Sequence, residues 1–97
     1  MDGVYQVKVK TPMGMIDGKI TLKTNGKNIE GILEVMGMKH SLNNGMVKGN
    51  QCYFKGNIQN NAVNIQYEIM GEVQNNILNV YAKTNMGEFK IQGKKVG

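Results

Sequence analysis

The chain contains no tryptophan and no arginine, and it has only one cysteine, one histidine and one proline among its 97 residues. A lone Cys52 excludes an internal disulfide and any multi-cysteine metal site, so a fold this small must rest on side-chain packing. A lone His40 cannot supply the two or three ligands that zinc or non-haem iron requires, and no cofactor is expected. Without arginine all twelve basic residues are lysines, which act as point charges rather than bidentate forks. The net charge of +5 therefore predicts a solvated lysine face with, at most, weak polyanion affinity, and no specific nucleic-acid recognition. Nowhere do about 18 apolar residues run consecutively, and MDGVYQVKVK lacks the basic-then-apolar profile of a signal peptide. The expectation is a cytoplasmic chain with no membrane span. Gly-x-Ser-x-Gly elbows, Walker loops and dinucleotide fingerprints are missing too.

What the chain has in abundance is alternation. Tyr5, Val7 and Val9 are apolar between polar Gln6, Lys8 and Lys10, and Ile16, Ile20 and Leu22 oppose Asp17, Lys19 and Lys23. A period of two residues marks a half-buried strand, whereas no stretch repeats apolar residues at the spacing of a helix. Continuing this reading gives segments over 3–11, 15–24, 28–36, 38–48, 51–59, 62–73, 77–85 and 88–95. They are separated by glycine- and asparagine-rich turns that accept positive φ, such as Thr24-Asn25-Gly26, Met36-Gly37 and Gly49-Asn50. Connections so short join only antiparallel neighbours. The predicted fold is one all-β domain spanning 1–97, an antiparallel up-and-down meander closed into a small β-barrel. In the fourth segment Met38, His40 and Leu42 share a face, and Val47 then resumes on the other parity. A bulge at Asn43-Asn44-Gly45, with glycine in the left-handed position, keeps eight strands; a true turn would make nine. Eight allows the first and last strands to pair antiparallel and leaves no edge.

Two features bear on function. Glycine occupies inward positions at Gly18, Gly31, Gly56, Gly71 and Gly93, either because strands bend and pack tightly in a narrow barrel or because a ligand approaches the backbone. The sequence also echoes itself, Lys10-Thr11-Pro12-Met13-Gly14 against Lys83-Thr84-Asn85-Met86-Gly87. Counting turns alternately puts 12–14, 36–37, 60–61 and 85–87 at one end, so three Met-Gly turns share a rim. Flexible thioethers there would either plug the barrel or form an adaptable portal for an apolar ligand.

The strand leading into Thr-Pro-Met-Gly, the repeated inward glycines, the Gly-Asn turn before Gln51-Cys52-Tyr53-Phe54 and the final Thr-x-Met-Gly-Glu-Phe-x-x-x-Gly resemble a group of small bacterial proteins. The plan is similar to the calycin barrels, which include lipocalins, fatty-acid-binding proteins and avidins, although the Gly-x-Trp of lipocalins is missing. The resemblance implies a small hydrophobic ligand held in the barrel.

Candidate ligand-binding residues are then Met13, Met36, Met38, His40 and Met86 at the rim, with Tyr5 and Tyr67 inside. Thr11 and Thr84 complete an inward polar set that suits either a ligand or a self-satisfied interior. His40 reads as a structural or rim histidine, a general base, or a haem ligand with a methionine opposite. Cys52 shares its face with Phe54 and Ile58 and reads as a buried small hydrophobe. Outside, Tyr53, Met70, Ile77 and Tyr81 form a candidate patch for a homodimer or a partner protein, with Ile32 a further apolar residue of outward parity. The leading expectation is a non-enzymatic barrel binding a small hydrophobic ligand. An interaction module without a ligand, and an isomerase- or cyclase-type enzyme using His40 as base and a tyrosine hydroxyl as acid, remain open.

Overall fold

A computed structural model of the chain describes residues 1–11, 14–59 and 64–97, the side chains of positions 11, 58 and 59 excepted. It contains eight strands: β1 Gly3–Thr11, β2 Gly14–Asn25, β3 Asn28–Val35, β4 Met38–Lys48, β5 Gln51–Gln59, β6 Asn64–Gln74, β7 Ile77–Thr84 and β8 Gly87–Lys95. Each pairs antiparallel with the next, and β1 pairs antiparallel with β8 from Tyr5↔Lys95 to Val9↔Ile91, closing the barrel. No helix among the described residues is long and apolar enough to cross a membrane.

The predicted alternation sorts side chains as the pairing demands. Val7, Tyr5, Ile29, Phe54 and Leu78 are all less than 2% exposed, and with Ile20, Leu22, Leu42, Cys52, Tyr67 and Ile91 they form one core. Full burial of each large apolar side chain is worth roughly 1.5–3 kcal/mol, which is how a chain with one thiol and no disulfide holds together.

The fourth strand settles the choice between eight and nine. β4 is continuous, and its pairing with β3 shifts between Ile29↔Gly45 and Gly31↔Leu42, so one residue of β4 is extra. The bulge is present, but Asn44 takes the positive φ of 60° and glycine does not. Asparagine tolerates this region because its side chain is short and polar. Gly45 is glycine for another reason. A Cβ there would lie 2.4 Å from Cε1 of Phe54 and 2.6 Å from the Ile29 carbonyl oxygen, and the position faces the core.

Polar side chains tie the barrel ends. Asp2 Oδ1 accepts from the Thr24 amide at 2.7 Å and from the Thr24 hydroxyl, and these two bonds hold its carboxyl below the usual range. Asn50 donates to the Val73 carbonyl at 3.1 Å, binding the β4–β5 turn to β6. Thr84 Oγ1 accepts from the Met86 amide at 3.1 Å and donates to the Gly87 carbonyl at 2.8 Å, so the Thr of the second Lys-Thr-x-Met-Gly closes its own turn.

Candidate functional site

The interior belongs to the protein's own side chains. Inward glycines provide clearance for their neighbours: a Cβ on Gly93 would lie 2.4 Å from Val7 Cγ1, on Gly18 2.5 Å from Val35 Cγ1, and on Gly71 2.8 Å from Cys52 Sγ. On Gly56 it would sit 2.5 Å from the Tyr67 hydroxyl, so that phenol lies over the glycine. Of the two sequence readings of these glycines, close packing is the one the geometry supports. The void enclosed by Leu22, Leu42, Phe54, Ile69, Leu78 and their neighbours is about 30 Å³, with an entirely apolar lining. That is roughly the volume one water molecule occupies in the liquid, and it offers no polar partner.

Tyr5 and Tyr67 do not meet. Tyr5 is paired with Lys95 near the chain ends and donates its hydroxyl to the Met1 carbonyl at 2.8 Å. Tyr67 pairs with Gly56 and Thr84 towards the opposite end. Burial pushes both phenols above their ordinary value, helped at Tyr5 by the charge of Asp2. Cys52 is buried, and that burial raises its thiol, as expected of a small hydrophobe.

The rim holds the remaining candidates. The C-terminal ends of β1, β3, β5 and β7 share one end of the barrel, since each strand reverses the chain. Met36 is 76% exposed, Met38 58% and Met86 66%, so these side chains extend into solvent and plug nothing. Met13 lies outside the described residues. The face shared by Met38, His40 and Leu42 keeps its parity but emerges from the barrel. Leu42 is buried, His40 half-buried opposite Leu33, and Met38 exposed. Among the described residues no three His, Cys, Asp or Glu side chains gather as a metal site.

A concavity lies on the outer wall. A twisted, closed barrel is waisted like a hyperboloid, so its outside is hollow along the axis although it is convex around it. Here the hollow is a groove of about 1020 Å³. Its floor is one row of register partners: Met46 opposite Tyr53, Tyr53 opposite Met70, Met70 opposite Tyr81, and Tyr81 opposite Lys90. Directly opposed side chains stand about 5 Å apart, so the row is a continuous surface. Lys10 and its partner Met15 continue it on β1 and β2. A parallel row carries Gln51, Glu72, Asn79 and Gln92 between Lys48 and Lys8.

Each tyrosine on the floor has a carboxylate beside it, Glu68 for Tyr53 and Glu88 for Tyr81. The phenols are raised above their ordinary value, Tyr53 chiefly by desolvation and then by the Glu68 charge, Tyr81 chiefly by the Glu88 carboxylate. The rings stay half-buried. Among the described residues the ion pairs are Lys19–Glu34 at 3.3 Å and Lys39–Glu34 at 3.5 Å. Lys8, Lys10, Lys48 and Lys90 face the groove without one.

The structure therefore brings together Tyr53, Met70 and Tyr81 of the outer patch read from the sequence, and leaves Ile77 aside. Ile77 pairs with Gln74 and Lys94 at the far end of β7. Sequence reasoning missed Met46, Met15 and the four lysines as one site. The signal for Met46 was present: the two-residue turn Gly49-Asn50 fixes the register and puts residue 46 opposite 53. The bulge just before it obscured which face Met46 takes. Comparison with protein-family models, with curated proteins and with solved structures finds no match to this chain.

Proposed function

We propose that this chain is a non-enzymatic binding barrel whose working surface is the outer groove, engaging a protein partner over Met46, Tyr53, Met70 and Tyr81. The observation that carries this reading is the unbroken row of those four side chains across neighbouring strands. Met46 is 63% and Met70 44% exposed, in a protein whose interior is filled by its own core. Contiguous exposed apolar area marks interaction sites, and tyrosine and methionine are enriched at interface cores. Methionine suits such a surface because its unbranched thioether repacks at low cost.

The exposed Met36, Met38 and Met86 favour a second reading, a small hydrophobic ligand resting at the barrel mouth. Native mass spectrometry of protein purified from cells separates the two. A small-molecule adduct that is lost when Met36 and Met86 are replaced by Ser would support the rim.

The groove reading is tested with a photo-activatable side chain at position 70, and at exposed position 30 as control. Cross-linking in cells should give a discrete heavier adduct at 70 that falls several-fold in the Tyr53→Ala/Tyr81→Ala double variant. An adduct of twice the chain mass would make the partner a second copy. Equal yields at both positions, or none at 70, overturn the reading.

A further inference from the structure

We infer that the partner taken by the groove is an acidic, apolar-studded peptide segment, an inference that rests on the groove being the working surface. The argument begins with charge placement. Lys8, Lys10 and Lys90 gather where β8 meets β1, and Lys48 stands at the other end of the floor on β4. Among the described residues none of them has an ion pair, Asp17 being the register partner of Lys8 on β2, and the one carboxylate of the groove lining, Glu72, sits between Gln51 and Asn79. Cationic groups left unpaired around an apolar floor give electrostatic complementarity to an anionic partner that also carries apolar side chains.

The floor argues for a peptide rather than a nucleic acid. Single-stranded nucleic acids bind through aromatic faces in a basic channel that follows the phosphates. Here methionines alternate with the tyrosines, and thioethers offer no stacking plane for a base. Glu68 and Glu88 lie beside Tyr53 and Tyr81 and place negative charge next to both rings, where the phosphate of a stacked base would have to pass. The basic side chains are also all lysine, without the fork that grips phosphate in two places. An apolar side chain from a peptide meets none of these objections, because methionine and tyrosine adapt to it, and its acidic neighbours reach the lysines.

Size is consistent with this. The molecule measures 35 × 26 × 21 Å, so one wall has room along the hollow for an amphipathic helix of about 16 residues, roughly 24 Å long. An amphipathic segment laid into an apolar groove is an established mode of recognition, and methionine-rich grooves serve it.

The test uses the whole protein and three fluorescent probes: a 16-residue peptide carrying Leu at helical spacing with Glu elsewhere, the same peptide with Lys for Glu, and a single-stranded oligothymidine of 16 nucleotides. Anisotropy should show saturable binding of the acidic peptide, with amide shifts at Tyr53, Met70, Tyr81 and Lys90. The Lys10→Glu/Lys90→Glu variant should weaken it about tenfold or more, and raising the salt should weaken it in the wild type. Both lysines are exposed, so unchanged far-UV dichroism and melting temperature will show that the variant is folded. Glu30→Gln, on β3, should bind as the wild type does. Equal binding of the acidic and basic peptides, tighter binding of the oligonucleotide, or shifts confined to other strands would overturn the inference. If neither peptide binds while cross-linking at position 70 persists, the acidic partner is wrong and the working surface stands.

Discussion

Glycine in a strand interior sacrifices a side chain and some stability, and in this protein the sacrifice makes room for a neighbour. At Gly45 and Gly93 an added methyl meets core side chains and a backbone carbonyl within 2.8 Å. Gly45→Ala and Gly93→Ala should each destabilise by about 1–3 kcal/mol in denaturant unfolding, as overpacking does. Gly31→Ala, whose nearest obstacle is Leu22 Cδ2 at 3.2 Å, should lose clearly less. The buried phenols set a second residue-level expectation. Tyr5 and Tyr67 have folded values raised above the ordinary 10.0, so their neutral forms contribute stability that is whole below pH 10. The unfolded chain releases these protons first, and stability must fall as pH rises past 10 towards the folded values. Melting temperature followed against tyrosinate absorbance should show that loss, and Tyr67→Phe should flatten it.

At the scale of the element, strand and turn were legible because two simple periodicities coincide. Apolar alternation marked the strands to within two residues at each end, and glycine- and asparagine-rich pairs and triplets marked the reversals. The bulge in β4 was legible from its parity switch, but not the identity of its left-handed residue. Glycine was the expected solution, yet Gly45 is committed to the core by Phe54, and Asn44 takes the strain. Asn44→Val should therefore cost about 1–2 kcal/mol, the penalty of the left-handed region for a residue with a full Cβ, whereas Asn44→Gly should be close to neutral. Denaturant midpoints measure both. The site was less legible than the strands. Facing tells which residues look outward, but whether the outer wall is hollow depends on twist and closure, which single residues do not encode. That is why Tyr53, Met70 and Tyr81 could be grouped from sequence and the lysines around them could not. His40 shares the face of Leu42 that its parity predicts, but how far that face emerges from the barrel depends on strand tilt.

Over the whole molecule, closure is uneven. β4 meets β5 through Met46↔Tyr53, Val47↔Cys52 and Lys48↔Gln51, while β5 and β6 pair along their whole lengths. Residues 39–42 and 45 of β4 and 54–57 of β5 thus have register partners on one side only, and the bulged Asn43 and Asn44 have none. Amides there should exchange with solvent earlier than those of residues 66–72, since local opening is cheapest where fewest ladder bonds must break. Exchange mass spectrometry resolves the two segments.

Among the described residues six methionines stand in solvent, three of them, Met15, Met46 and Met70, around the groove. A peroxide would convert such thioethers into sulfoxides, turning a pliable greasy floor polar while the sealed core keeps its chemistry. Oxidative stress would then silence the surface without unfolding the protein, and methionine sulfoxide reductases could restore it.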